Sequence, residues 1–172
     1  MYFEHPCTYA SSIDTSWIRV RSARVRARSN LGGMELSRAL AFVADHRQGV
    51  LTTLRREGRP QISNIVYGFD GTTARISVTD GRAKTKNLRR DPRASLYVCG
   101  DDFWAYAVVE GAAELSPVAA DPADATVDEL VALYRSLSGE HPDWDEYRNA
   151  MVNDHRLVVR LTPTYAYGML PG

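Results

Sequence analysis

From Gly49 to Asp80 the chain alternates runs of β-formers with minimal links: GVLTTLRR, EGRP, QISNIVYGFD, GTT and ARISVTD. A parallel crossover consumes roughly a dozen residues or more, so runs joined this tightly pair antiparallel, and a three-stranded meander is expected. ASLYVCG and FWAYAVVEGAAELS then supply strands four and five, with Gly111 marking a bend or bulge, and RLVVRL and TYAYGML close the chain as two last strands. Helical spacing is confined to short stretches. Leu36, Leu40 and Val43 recur along one up to Arg47, with Gly49 as its stop; Val127, Leu130, Val131, Tyr134 and Leu137 share one face of a second; DWDEYRNAMVND supplies another. These patterns predict a mainly β (α+β) chain that curls into a small antiparallel barrel with a few short helices.

Composition narrows the partners. With 172 residues, 44% apolar and 24% charged, the chain suits one domain with a substantial core. Its formal net charge is zero, so no global field draws it to nucleic acid, and any ionic binding must be local. Cys7, Cys99 and four scattered histidines lack metal-ligand spacing, and no metal is expected. No run reaches the roughly 18 apolar residues of a membrane span, and no secretory apolar segment opens the chain, so a cytoplasmic protein with no membrane partner is expected. Residues 1–33 hold five arginines against Glu4 and Asp14 and no core pattern. A nucleic-acid arm and a transit-like leader are alternatives there; the reading adopted is a disordered basic extension without function, ahead of a domain over residues 34–172.

The segment TDGRAKTKNLRRDPRASLYV contains Lys84 and Lys86, the only lysines in the chain; all other cations are arginines. A helix over residues 82–90, capped by Asp80, would bring its free first-turn amides together with Arg82, Lys84 and Lys86, and a helix start of that kind is an anion site. The planar fork of arginine and the point charge of lysine grip phosphate oxygens from different directions, and Asn87 adds a neutral donor. The plainer alternative is a solvated basic helix face.

GVLTTLRREGRPQISNIVY, RISVTDGRAKTKNLRRDPRASLYV and FWAYAVVEGAAEL together resemble the pyridoxamine-5′-phosphate-oxidase-like split β-barrel superfamily of flavin and deazaflavin oxidoreductases, over residues 36–170. The likeness is greatest to the branch that binds the deazaflavin coenzyme F420. The resemblance implies a six- to seven-stranded antiparallel split barrel, a homodimer, and F420 as cofactor, with FMN as the alternative. It places Gln61, Ser63, Asn64, Ser77 and Val78 along the cofactor ring, Arg82, Ala83, Lys84, Thr85 and Asn87 on its phosphate, and Trp104 as a pocket wall. It implies hydride transfer to a small electrophilic organic acceptor, such as a quinone, a bilin-type tetrapyrrole, a nitroaromatic or an enone. An FMN-dependent oxidoreductase and a non-enzymatic F420 carrier are the competing readings.

The chain ends RLVVRLTPTYAYGMLPG, without the Trp- and Arg-containing signature of pyridoxamine phosphate oxidases proper, which argues against vitamin B6 oxidation. No catalytic side chain is assigned; solvent, Tyr106 or Tyr67 are the candidate proton sources. Arg55, Arg56 and Arg59 are candidates for the cofactor's glutamate tail. Plainer roles stand beside these: Gln61, Ser63 and Asn64 could satisfy an edge strand, and Trp104 and Tyr106, two apart, could be core or dimer contacts. The apolar runs FWAYAVV and LVVRL exceed what one small barrel buries, so a two-fold dimer is expected.

Overall fold

The computed structural model describes residues 34–101 and 103–171; the extension expected over residues 1–33 lies outside the described residues. The elements are α1 (Leu36–Ala44), β1 (Gln48–Leu54), β2 (Pro60–Val66), β3 (Gly68–Phe69), β4 (Ala74–Thr79), α2 (Ala83–Arg90), β5 (Arg93–Cys99), β6 (Tyr106–Leu115), α3 (Ala125–Ser138), α4 (Trp144–Asn153) and β7 (Arg156–Met169). The seven strands form one sheet in the order β2-β1-β5-β6-β7-β4-β3, and every pair is antiparallel. The sheet curls on itself as a mainly β split barrel.

Period-two alternation builds the interior. Leu51 and Thr53 on β1, Ala74, Ile76 and Val78 on β4, Leu96 and Val98 on β5, and Leu157, Val159 and Leu161 on β7 are all buried, while the residues between them face outward. Fully burying each of these Leu, Ile or Val side chains contributes about 1.5–3 kcal/mol relative to leaving it exposed. Val158, on the opposite side of β7, enters a second apolar cluster with Val127, Leu130 and Met151 of α3 and α4. The run LVVRL is therefore buried on both faces within one chain, which corrects the expectation that it is surplus. Among the described residues, the large apolar side chains left exposed are Ile62, Val66, Phe103, Trp104, Tyr165 and Met169.

Several local expectations change. The anticipated meander is interrupted at Tyr67: β2 pairs only with β1, and β3 starts a separate pairing with β4. The interruption follows from burial. Tyr67 leaves the ladder, its amide donating to Arg47 O at 2.9 Å and its hydroxyl to Val43 O at 2.8 Å. The two expected last strands are one, because Pro163 lies at an irregularity, where Glu110 pairs with Tyr165 but Gly111 pairs with Pro163, leaving Thr164 extra. Gly111 is required there: a Cβ would sit 2.0 Å from Thr162 O. Gly49 does not stop α1, which ends at Ala44; it lies in β1, where a Cβ would meet Leu96 Cδ1 and Tyr97 O, each at 2.8 Å.

The split itself lies between β2 and β4. Val66 of β2 and Ser77 of β4 line one cavity, yet the two strands share no ladder. The helix α2 follows β4 directly at this seam.

Candidate cofactor site

The start of α2 is fixed by Thr79, the last residue of β4. Its carbonyl accepts both the Arg82 amide at 3.2 Å and the Thr85 hydroxyl at 3.0 Å, folding the helix back onto the strand. Asp80 does not cap the helix as expected. The N-cap is Arg82, and the Asp80 carboxylate pairs with Arg89 while its amide donates to His155 O. With no carboxylate at the cap, the helix start keeps its positive character, and the amides of Ala83, Lys84 and Thr85 have no intrahelical acceptor.

Charge pairing picks out the same place. Arg75, Arg89, Arg93, Arg135, Arg148, Arg156 and Arg160 pair with carboxylates, and Arg38, Arg47 and Arg90 donate to carbonyls. Among the described residues only Arg55, Arg56, Arg59, Arg82, Lys84 and Lys86 have cationic side chains without such a partner. They form two groups, one on the β1–β2 turn and one at the start of α2. Lys84 is half-buried, and burial first, then the neighbouring Arg82 charge, lower its pKa. A lysine in that position is charged at a cost that an arriving anion would relieve. Lys86 is exposed.

Behind the helix start runs a polar chain with Thr53 as its hub, a residue that no local pattern singles out. Thr53 is fully buried on β1; its hydroxyl donates to Gln61 Oε1 at 3.0 Å and accepts from Asn87 Nδ2 at 3.1 Å. Gln61 Nε2 donates to Ser63 Oγ at 2.7 Å, and Arg90 donates to Asn87 Oδ1 at 3.1 Å and to Leu54 O at 2.5 Å. Three expected site residues, Gln61, Ser63 and Asn87, are thus joined across β2, β1 and α2. The Asn87 amide and the Thr85 hydroxyl already have protein partners, so the helix start offers an anion amides and cations instead.

The remaining expected residues lie apart. Asn64 faces the opposite side of β2 and lines a cleft of about 540 Å³ with Val66, Tyr97 and Cys99. Tyr97 stacks on Tyr106 there at 5.6 Å, and its pKa is pushed up to about 12, first by the Cys99 thiol beside it. The unpaired charge lies elsewhere, and charge is what identifies an anion site. Val78 is 2% exposed and packs in the core. Ser77 faces α3 and α4, with Arg156 Nη1 at 3.5 Å from its hydroxyl. Trp104 is 72% exposed and precedes β6, so it shares no strand face with Tyr106. Tyr67 is committed to the Val43 carbonyl, and burial raises its pKa, which gives its hydroxyl a structural role.

A mainly β split barrel whose helix start gathers unpaired cations and free amides is suited to holding an anionic group. The chain belongs to the pyridoxamine 5′-phosphate oxidase family, whose model matches residues 37–169. Among solved structures it is similar to an F420 reductase, at 26% identity and a TM-score of 0.53, over 70% of this chain and 88% of that one. A conserved hypothetical protein from Mycobacterium tuberculosis matches at 25% identity and a TM-score of 0.59, over 77% and 82% of the respective chains. A heme binding protein from Mycobacterium smegmatis, 23% identical with a TM-score of 0.54 over 76% of this chain and 51% of that one, shares the fold. Among the described residues no helix is long and apolar enough to cross a membrane, and no group of His, Cys, Asp and Glu is placed to hold a metal ion.

Proposed function

We propose that the protein is a reductase that uses coenzyme F420 to reduce a small electrophilic organic acceptor, acting as a homodimer. The observation that carries this reading is the division of the unpaired cations into two groups. FMN has one phosphate to satisfy, whereas F420 has a phosphate and a carboxylate-rich tail, matching a group at α2 and a second on the β1–β2 turn. The similarity to an F420 reductase points the same way. The family match keeps an FMN-dependent oxidoreductase as the second reading.

The residues fit an anionic group. Arg82, Lys84 and the amides of Ala83, Lys84 and Thr85 grip the phosphate, and Asn87, through Thr53, holds the helix at the right distance. In this reading Gln61 and Ser63, with Ser77 across the seam, border the ring, whereas Val78 is packed in the core and Asn64 and Trp104 lie apart from it. When bound and reduced, F420 supplies the hydride, so the protein's task is to orient, to exclude water and to hold charge. No general base is needed for that task.

Titration of the purified protein with F420 and with FMN, followed by tryptophan fluorescence, tests the reading: saturable F420 binding well below the FMN dissociation constant is expected. A yellow protein that keeps FMN through purification would replace it with the second reading. Replacing Arg55, Arg56 or Arg59 singly by Ala should cost F420 affinity only about 0–1 kcal/mol each, as exposed ion pairs do, and the loss should vanish at high salt. For the dimer, Ile62, Val66, Phe103, Trp104, Tyr165 and Met169 are the large apolar side chains exposed among the described residues, and light scattering at micromolar concentration should report two chains.

A further inference from the structure

The cavity on the α3–α4 side of the seam, about 290 Å³, is accounted for neither by the phosphate grip nor by the fold's core. Its walls are Leu133, Tyr134 and Leu137 of α3, Tyr147 and Met151 of α4, and Val66 of β2. The aromatic walls are braced. Tyr134 meets Tyr147 edge-on at 5.0 Å and Trp144 at 5.8 Å, and the Tyr147 hydroxyl donates to Leu130 O. The Tyr134 hydroxyl has no hydrogen-bond partner among the described residues.

One strong polar group enters this apolar slot. Arg156 lines it beside Ser77, and its charge is felt at the Tyr147 hydroxyl, whose pKa burial raises and Arg156 lowers. The guanidinium makes long contacts. It donates to Asp154 Oδ2 only at 3.3 Å, from Nε and Nη2, and stands 3.5 Å from Ser77 Oγ. Every other arginine–carboxylate pair among the described residues closes to 3.2 Å or less. An arginine held by one carboxylate oxygen and a distant hydroxyl, at the end of a braced aromatic slot, is suited to a second carboxylate on a flat ring.

We infer that this cavity binds a small planar aromatic molecule carrying a carboxylate, with Arg156 as the carboxylate's partner and Tyr134, Tyr147 and Leu137 against the ring. Val66 lines both this cavity and the cleft beyond Asn64, and Ser77 is a ring-bordering residue of the proposed cofactor site. Resting on the F420 reading, the cavity is then the seat of the acceptor, and the acceptor class is an electron-poor aromatic acid such as a nitroaromatic or quinone carboxylate.

The test uses the full chain and two probes of one shape, naphthoate and its neutral counterpart naphthylmethanol, with binding followed by saturation-transfer NMR and calorimetry. Naphthoate should bind the unmodified protein, and Arg156→Gln should weaken it roughly tenfold or more, the effect of losing a charge-assisted pair. The same variant should change naphthylmethanol affinity less than about twofold. Leu137→Trp, on the accessible last turn of α3, should exclude both probes. F420 titrations of each variant report separately on folding and on the cofactor site. If F420 fails to bind while naphthoate still depends on Arg156, the cofactor reading falls and the cavity assignment stands. Naphthoate binding that is indifferent to Arg156→Gln, or an F420 loss as large as the naphthoate loss, overturns the assignment.

Discussion

Lys84→Ala is expected to weaken F420 binding by about 1.5–3 kcal/mol, roughly ten- to a hundred-fold, the range for a hydrogen bond to a charged group. Lys84 is half-buried beside Arg82 with no acidic partner among the described residues, so removing it takes away a cation that no protein carboxylate needs. The folded protein itself should therefore tolerate the change. Lys86, exposed and two positions along the helix, should matter much less. The Lys84 effect should be nearly the same with a tail-less analogue as with full-length F420, because the tail meets the hairpin arginines. Equal affinity of Lys84→Ala and the unmodified protein for both forms would return the two lysines to the status of a solvated helix face.

Thr53→Val should be the more damaging change to the fold. The substitution keeps the shape of a buried side chain but leaves Gln61 Oε1 and Asn87 Nδ2 without their partner. Each stranded group costs about 1–3 kcal/mol, so a loss of about 2–4 kcal/mol in urea unfolding is expected. F420 affinity should fall as well, because Asn87 ties α2 to β1. Thr53→Ser keeps the hydroxyl and should recover most of both. A loss below about 0.5 kcal/mol would show that water replaces Thr53 and that the polar chain does not hold the helix.

The sequence made the strands, the helix α2 and the paired lysines legible because each rests on local chemistry: alternation, minimal links, and an uneven choice of cation. It also marked Gly111, where two strands approach too closely for a side chain. What stayed hidden depends on partners far along the chain. Nothing near Tyr67 announces that it leaves the sheet for the Val43 carbonyl, and nothing near Asp80 that Arg89 draws its carboxylate away from the cap. Pro163 reads as a turn unless its opposite neighbour Gly111 is known. Thr53 looks like any strand threonine until Gln61 and Asn87 are seen to meet on it. Arg156 is inconspicuous for the same reason, since Ser77 lies 79 positions away.

The strand order also has a consequence for how the chain comes together. β1 waits for β5 and β4 waits for β7, so the two early hairpins carry open edges until much later segments arrive. Closing loops of that length is slow, and folding in milliseconds to seconds is the regime for sheets dominated by such distant pairings. During synthesis β4 and β6 both stay unpaired along the edge that β7 fills, since β7 follows both of them in the chain. The seam where the ligand is proposed to bind is therefore among the later features of this sheet to form, and a nascent chain cannot grip a cofactor before β7 is in place.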